Sequence, residues 1–194
     1  VARLAERAVA MARVAPDDAY VGLADPALLT RNFPNLDLLD PAMPSTAELE
    51  RRALEAEAAA LSVKGVAKSG GASASTGIGG MVLVTSTGFH GAYLRSSQGI
   101  SATAIVGEGT GMERDYDFTS ALHGADLESP ASVGRRAGER TVARANPRKA
   151  ATCKAPVIFD PRVSGSLVGH LVGAANGASI ARKTSFLKDR RGEQ

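Results

Sequence analysis

The sequence predicts an α+β protein: an antiparallel, glycine-rich β-meander covered by helices, followed by a strand–helix unit that opens a second domain. Three observations carry this. Residues 45–62 are strong helix formers behind a capping box, Ser45-Thr46-Ala47-Glu48. From Val63 to about Thr119 the apolar period changes from helical to alternating, with glycine every few residues. Near the C-terminal end, Val157-Ile158-Phe159 runs into Asp160-Pro161, a β-branched and aromatic stretch feeding an N-cap acceptor and a proline pre-set for the first helical position.

Taken in order, residues 1–14 read as an amphipathic helix, with Val1, Leu4, Ala8 and Met11 on one stripe and Arg3, Glu6, Arg7 and Arg13 available to solvent. Pro16-Asp17-Asp18 ends it, Tyr20 to Pro26 is extended, and a helical turn follows at 27–31. Asn32 to Asn35 and Asp40 to Pro44 are turn chemistry around Leu36-Asp37-Leu38-Leu39. In the helix at 45–62, Ala47, Leu54, Ala58 and Leu61 form the apolar stripe.

Six short strands are expected next, at 63–69, 72–78, 81–86, 90–96, 100–106 and 112–119. The spacers are Gly70-Gly71, Gly79-Gly80, Thr87-Gly88, Gln98-Gly99 and Gly107-Glu108-Gly109. Ser129-Pro130 caps a helix to about Ala145, on which Arg136, Arg140 and Arg144 share one line; a solvated basic face is the plain reading, and a groove for acidic peptide or nucleic acid the sharper one. Glu113, Asp115 and Asp117 alternate along a strand, so they share a face, where solvation is the expected purpose.

The composition is that of a globular chain, with 44% hydrophobic and 22% charged residues among 194. Aromatics are only 4% and glycines number 21, so cores are built from Ala, Val and Leu with close backbone contacts. A net charge of +3 is far below the concentrated basic stripe of a nucleic-acid binder, which argues against that partner class. Cys153 is alone, so no internal disulfide forms and a reducing, cytoplasmic setting is expected. No targeting segment and no run near the ~20 apolar residues of a membrane span are present. The start at Val1 and the end at Gln194 suggest a fragment of a longer chain.

Three histidines, His90, His123 and His170, are scattered without metal-ligand spacing on a shared element. Gly107-Glu108-Gly109-Thr110-Gly111 lacks the Lys-Ser/Thr ending of a phosphate loop, and no Gly-x-Ser-x-Gly elbow occurs. Along the helix that follows Pro161, Gly165, Gly169, Gly173 and Gly177 recur every fourth residue. A helical glycine costs about 1 kcal/mol against alanine, so this line suggests a closely approaching backbone, in the same chain or in another subunit.

The stretch from Pro156 to Gly177 resembles the TldD/PmbA family, also described as modulators of DNA gyrase. Val21 to Pro26, Thr85-Ser86-Thr87-Gly88-Phe89 and Met112 to Asp117 extend the resemblance. One branch of that family carries a zinc-peptidase motif, His-Glu-x-x-x-His, at the start of this helix. Laid on this sequence it falls on Gly165-Ser166-Leu167-Val168-Gly169-His170. Only His170 of the motif remains; a zinc hydrolase needs about three protein ligands, an open water position and a base.

The resemblance therefore implies the PmbA/TldE branch: a non-catalytic subunit with neither catalytic nor metal residues of its own. Its partner would be a TldD-like metal-bearing homologue holding the zinc, and its substrate an unfolded peptide. A homodimer is the alternative assembly. The rival functions are an active zinc metallopeptidase with ligands outside the fragment, and a gyrase-modulating binding protein. Three stretches are expected: 1–62 as a helical segment, 63–155 as the sheet with its basic helix, and 156–194 as the start of a C-terminal domain.

Overall fold

The computed structural model describes residues 1–19, 21–190 and 192. Its central feature is an antiparallel sheet of three strands in the order β1-β2-β3: β1 Lys68–Val84, β2 His90–Val106 and β3 Glu113–Ala121. The six short strands expected from the glycine spacing are thus three long ones. Thr87-Gly88 and Gly107–Gly111 do turn the chain, with Gly88 at φ +86° and Gly107 at φ +72°. Gly79-Gly80 and Gln98-Gly99 lie inside strands, and Gly70-Gly71 marks a bulge in β1.

Small residues are required there by the neighbouring strand. A Cβ on Gly80 would stand 2.4 Å from the Tyr93 carbonyl oxygen, and one on Gly70 2.7 Å from Thr103 Cγ2.

Two helices cover one face of the sheet: α2, Thr46–Leu61, and α3, Pro130–Ala143. Both begin where the caps indicate, Ser45 Oγ accepting from the Glu48 N–H and Ser129 Oγ from the Ser132 N–H, each at 3.2 Å. The buried stripe of α2 holds Ala56 and Ala60, while Leu54 and Leu61 stay exposed. Alanine wins these positions because α3 comes too close for leucine. A Cβ on Gly134 would stand 2.0 Å from the Ala56 carbonyl oxygen, and one on Gly138 2.9 Å from that of Ala60. The core between helices and sheet is Ala56, Ile100, Ala102 and Ala137, with Ala72, Ala74 and Leu127 beside it.

These elements belong to one compact unit, Asp25–Ala150; a second comprises Val1–Ala24 and Ala151–Gln194. The second unit contains α1, Ala2–Val14, α4, Pro161–Ala175, and α5, Gly177–Ala181. Within it Arg182 Nη2 meets Asp18 Oδ2 at 2.5 Å and Ser185 Oγ donates to the Ala174 carbonyl at 2.6 Å. Residues 21–25 belong to no helix or strand, and Tyr20 lies outside the described residues.

Val157-Ile158-Phe159 is not a strand. It pairs with no other strand among the described residues, and Ile158 is 97% exposed. The long glycine helix is also interrupted, because Asn176 ends α4 and its Oδ1 caps α5 through the Ala178 and Ser179 N–H groups. Among the described residues no helix is long and apolar enough to cross a membrane.

Candidate functional site

The position of the resembled zinc motif lies on α4. Asp160 caps this helix, its Oδ1 accepting from the Arg162 N–H at 2.9 Å, and Pro161 occupies the first turn. Gly165 contributes no side chain. Ser166 Oγ donates to the Val163 carbonyl at 2.6 Å, which occupies its hydroxyl hydrogen within the helix. His170 is exposed. On a straight helix, positions five apart point about 140° away from each other, so residues 165 and 170 diverge. Among the described residues no group of three or more His, Cys, Asp or Glu side chains is placed to hold a metal ion. The residues at 165 and 166 do not fit zinc: hydrogen and hydroxymethyl replace imidazole and carboxylate.

Apart from the adjacent residues and the helix's own neighbouring backbone, no described atom lies within 4 Å of a Cβ built on Gly165, Gly169, Gly173 or Gly177. The close backbone approach that glycine permits occurs instead on α3, at Gly134 and Gly138. Beside the glycines of α4, Val163, Leu167, Val168, Leu171 and Val172 are all exposed.

Arg136, Arg140 and Arg144 turn towards the sheet and meet its acidic residues. Arg136 Nε donates to Asp117 Oδ2 at 2.6 Å and Nη2 to Glu128 Oε1 at 2.9 Å. Arg140 bonds the other oxygen of Asp117, and Arg144 reaches Asp115 Oδ2 at 3.3 Å and Glu113 Oε2 at 3.9 Å. The two ladders match in pitch. Four helical residues advance about 6 Å, and two strand residues nearly 7 Å.

Asp115 and Asp117 are consequently buried, and the face read as solvated is an ion-paired seam. Glu128 is held below the usual carboxylate range, chiefly by its bonds to Arg136, and the Arg136 guanidinium is pushed further up by Glu128 and Asp117. Thr141 completes the seam by accepting from the Asp115 N–H at 3.1 Å and donating to the Ala137 carbonyl at 2.7 Å.

A second polar cluster, which the sequence reading did not single out, pins residues 33–40 across the edge of β2 as a strap. Asp40 accepts from Gln98 Nε2 at 2.8 Å and from the Gly124 and Ala42 N–H groups at 2.7 and 2.8 Å. Those two backbone bonds, Gly124 first, hold its carboxyl below the usual range. The Ser96 N–H donates to the Leu38 carbonyl at 2.9 Å, and Ser96 Oγ accepts from the Asp40 N–H at 2.8 Å.

His123 Nε2 stands 2.8 Å from the Asp37 carbonyl oxygen. That contact, followed by the charges of Asp37, Asp40 and Asp126, raises the imidazole pKa. Asp37 adopts φ +50°, the conformation that turns its carbonyl to His123. The available signal was Asn35 and Asp40 as side-chain acceptors two residues before backbone N–H groups, the signature of tight local turns.

Strap and hairpin border an open pocket of about 1040 Å3. Phe33, Leu36 and Leu38 line one side and Met81, Phe89 and Tyr93 the other, with Phe33 edge-on to Phe89 at 5.9 Å between centroids. The pocket is apolar, with Arg95 and Asp37 as its charged lining residues.

Comparison with known proteins places this geometry. Residues 39–145 match the PmbA/TldA metallopeptidase central domain and residues 152–194 the PmbA/TldA metallopeptidase C-terminal domain. Metalloprotease PmbA of Escherichia coli O157:H7 is 40% identical over 195 residues, covering 100% of this chain and 43% of the relative. The Metalloprotease PmbA homolog of Haemophilus influenzae is 35% identical over 190 residues, covering 97% and 42%. The chain thus spans less than half the length of these curated relatives.

Among solved structures, a protein from Bacteroides thetaiotaomicron described as a modulator of DNA gyrase superposes with a TM-score of 0.84 at 25% identity, over 96% of this chain and 44% of that one. TldE from Thermococcus kodakarensis shares the fold, with a TM-score of 0.66 at 19% identity over 97% and 42%.

Proposed function

Because the chain belongs to the PmbA/TldA metallopeptidase family, we propose that it is part of a PmbA/TldE-like, non-catalytic subunit. It pairs in the cytoplasm with a TldD-like homologue that carries the zinc, and the pair cleaves unfolded peptides. The observation that supports this reading is the substitution on α4: Gly165 has no donor atom, and Ser166 spends its hydroxyl on the Val163 carbonyl. A water-activating site needs metal ligands and a general base, and these two positions supply neither. In this reading the chain contributes surface and cavity shape. The exposed backbone of α4 at Gly165, Gly169 and Gly173 suits contact with a neighbouring subunit, since glycine lets two chains approach closely.

Co-expression of a polypeptide of the relatives' length with its TldD-like homologue tests the proposal. Copurification is expected, with zinc in the partner. Failure to copurify, or one equivalent of zinc on this subunit alone with chelator-sensitive peptide cleavage, overturns it.

A further inference from the structure

The strap covers the hairpin end of the sheet face opposite α2 and α3; beyond it side chains on this face are exposed, and β3 sorts its charges between the two faces. Glu113, Asp115 and Asp117 turn to the helices, while Arg114, Tyr116 and Phe118 are exposed on the other side. The register extends that face: Ile105 lies between Arg114 and Lys68, and the same alternation along β2 brings Tyr93 and Arg95 onto it. The three acids of β3 are the only carboxylates in the strands, so this face carries Lys68, Arg95 and Arg114 with no strand carboxylate beside them, and Asp37 of the strap is the acid that lines a pocket with Arg95. Among the described residues none of these three cations is ion-paired.

The two cationic stations are ten residues apart along β2, from Ile105 to Arg95, or about 33 Å. Lys68 and Arg114 form one, next to Tyr116 and Phe118, whose rings stack at 6.2 Å. Arg95 forms the other, bordering a depression of about 300 Å3 with Gly79, Tyr93 and Ser97. Between them the floor is glycine, serine and Thr103, with Ser73 Oγ and Ser101 Oγ 3.0 Å apart. Hydroxyls donate to and accept from a peptide backbone, and a floor without bulk lets that backbone lie flat.

We propose that this sheet face docks an extended acidic peptide. Its carboxylates meet Lys68 and Arg114 at one end and Arg95 at the other, with apolar side chains resting on Tyr116 and Phe118. The inference rests on reading the chain as part of a peptide-cleaving assembly, and names the class of peptide it selects. Sparse cations favour a peptide over nucleic acid: a duplex presents one negative charge per about 1.7 Å, whereas two stations about 33 Å apart suit carboxylates separated by about ten extended residues.

Fluorescence anisotropy on the 194-residue chain tests this, with three labelled probes. One is a peptide of about twelve residues with glutamates at both ends and a Gly/Ser/Leu centre, the second has lysines in place of the glutamates, and the third is oligo-dT of equal span. The acidic peptide is expected to bind, and to lose about tenfold in affinity when salt rises from about 50 to 300 mM or in the double variant Arg95→Gln/Arg114→Gln. An unchanged thermal midpoint certifies that the variant is folded.

Equal binding of the lysine peptide, no binding of the acidic one, or affinity indifferent to the double variant overturns the proposal. Tighter binding of oligo-dT that the same variant abolishes reassigns the face to nucleic acid. Copurification of the double variant with the TldD-like homologue separates the two claims, because loss of peptide binding with assembly intact leaves the subunit reading standing.

Discussion

The guanidinium of Arg136 on α3 meets the carboxylate of Asp117 on β3 at 2.6 Å, although Asp117 is only 4% exposed. A buried carboxylate is tolerable here because Arg140 satisfies its second oxygen. Removing Asp117 leaves Arg140 without its carboxylate partner and Arg136 held, among carboxylates, by Glu128 alone. Asp117→Ala is expected to destabilise the Asp25–Ala150 unit by about 3–5 kcal/mol, measured by urea unfolding. A loss below about 1 kcal/mol would show the seam to be a solvated surface pair.

Gly134 tests the helix–helix contact. A Cβ there meets the Ala56 carbonyl oxygen at 2.0 Å, and backbone cannot move aside as a side chain does. Gly134→Ala, which would gain about 1 kcal/mol on helix propensity alone, should instead cost about 1–3 kcal/mol through overpacking.

The opposite sign is expected at Gly169. Apart from adjacent residues and the helix's own backbone, nothing described stands within 4 Å of its Cβ position, so Gly169→Ala should raise helicity by circular dichroism and stabilise α4 by up to about 1 kcal/mol. If the same substitution in the longer polypeptide weakens copurification with the TldD-like homologue, the glycine face is the contact proposed above.

The strap should loosen at both ends of the pH scale. The pKa of His123 is raised, so its contribution is complete below about 6.5 and is lost as pH rises through the folded value. The pKa of Asp40 is lowered, so its contribution is present above about 3.8 and is lost as pH falls through the folded value. Hydrogen-exchange protection factors at residues 33–40, taken relative to the intrinsic rate at each pH, should therefore be highest between these limits. His123→Gln should flatten the alkaline limb while leaving the acid limb in place; an unaltered alkaline limb would show that His123 does not anchor the strap.

Much of this architecture was legible in local chemistry. Ser45, Ser129 and Asp160 announced their helices because a cap is a contact between neighbours in sequence. The glycines were misleading for the complementary reason. Gly80 and Gly70 look like turn residues, yet their smallness answers to Tyr93 and Thr103 on the next strand. Likewise Gly134 and Gly138 sat unremarked beside the more regular series on α4.

Period-two spacing placed Glu113, Asp115 and Asp117 on one face, but only pairing with α3 decides whether that face is wet. The matching pitch of the arginine and carboxylate ladders was the clue available. At the resembled motif, Gly165 and Ser166 were readable directly, because chemistry absent from two side chains needs no fold to be noticed.

The long β1–β2 ribbon also bears on how the chain reaches its structure. Its ladder is expected to zip outward from the Thr85–Gly88 turn, because each new pair then closes only a small loop. The contact of Ala56 with Gly134 instead joins segments on either side of the whole sheet and must wait for β3. A transition state with an organised hairpin and a late-docking helical layer follows, in which changes at Gly134 act mainly on the unfolding rate.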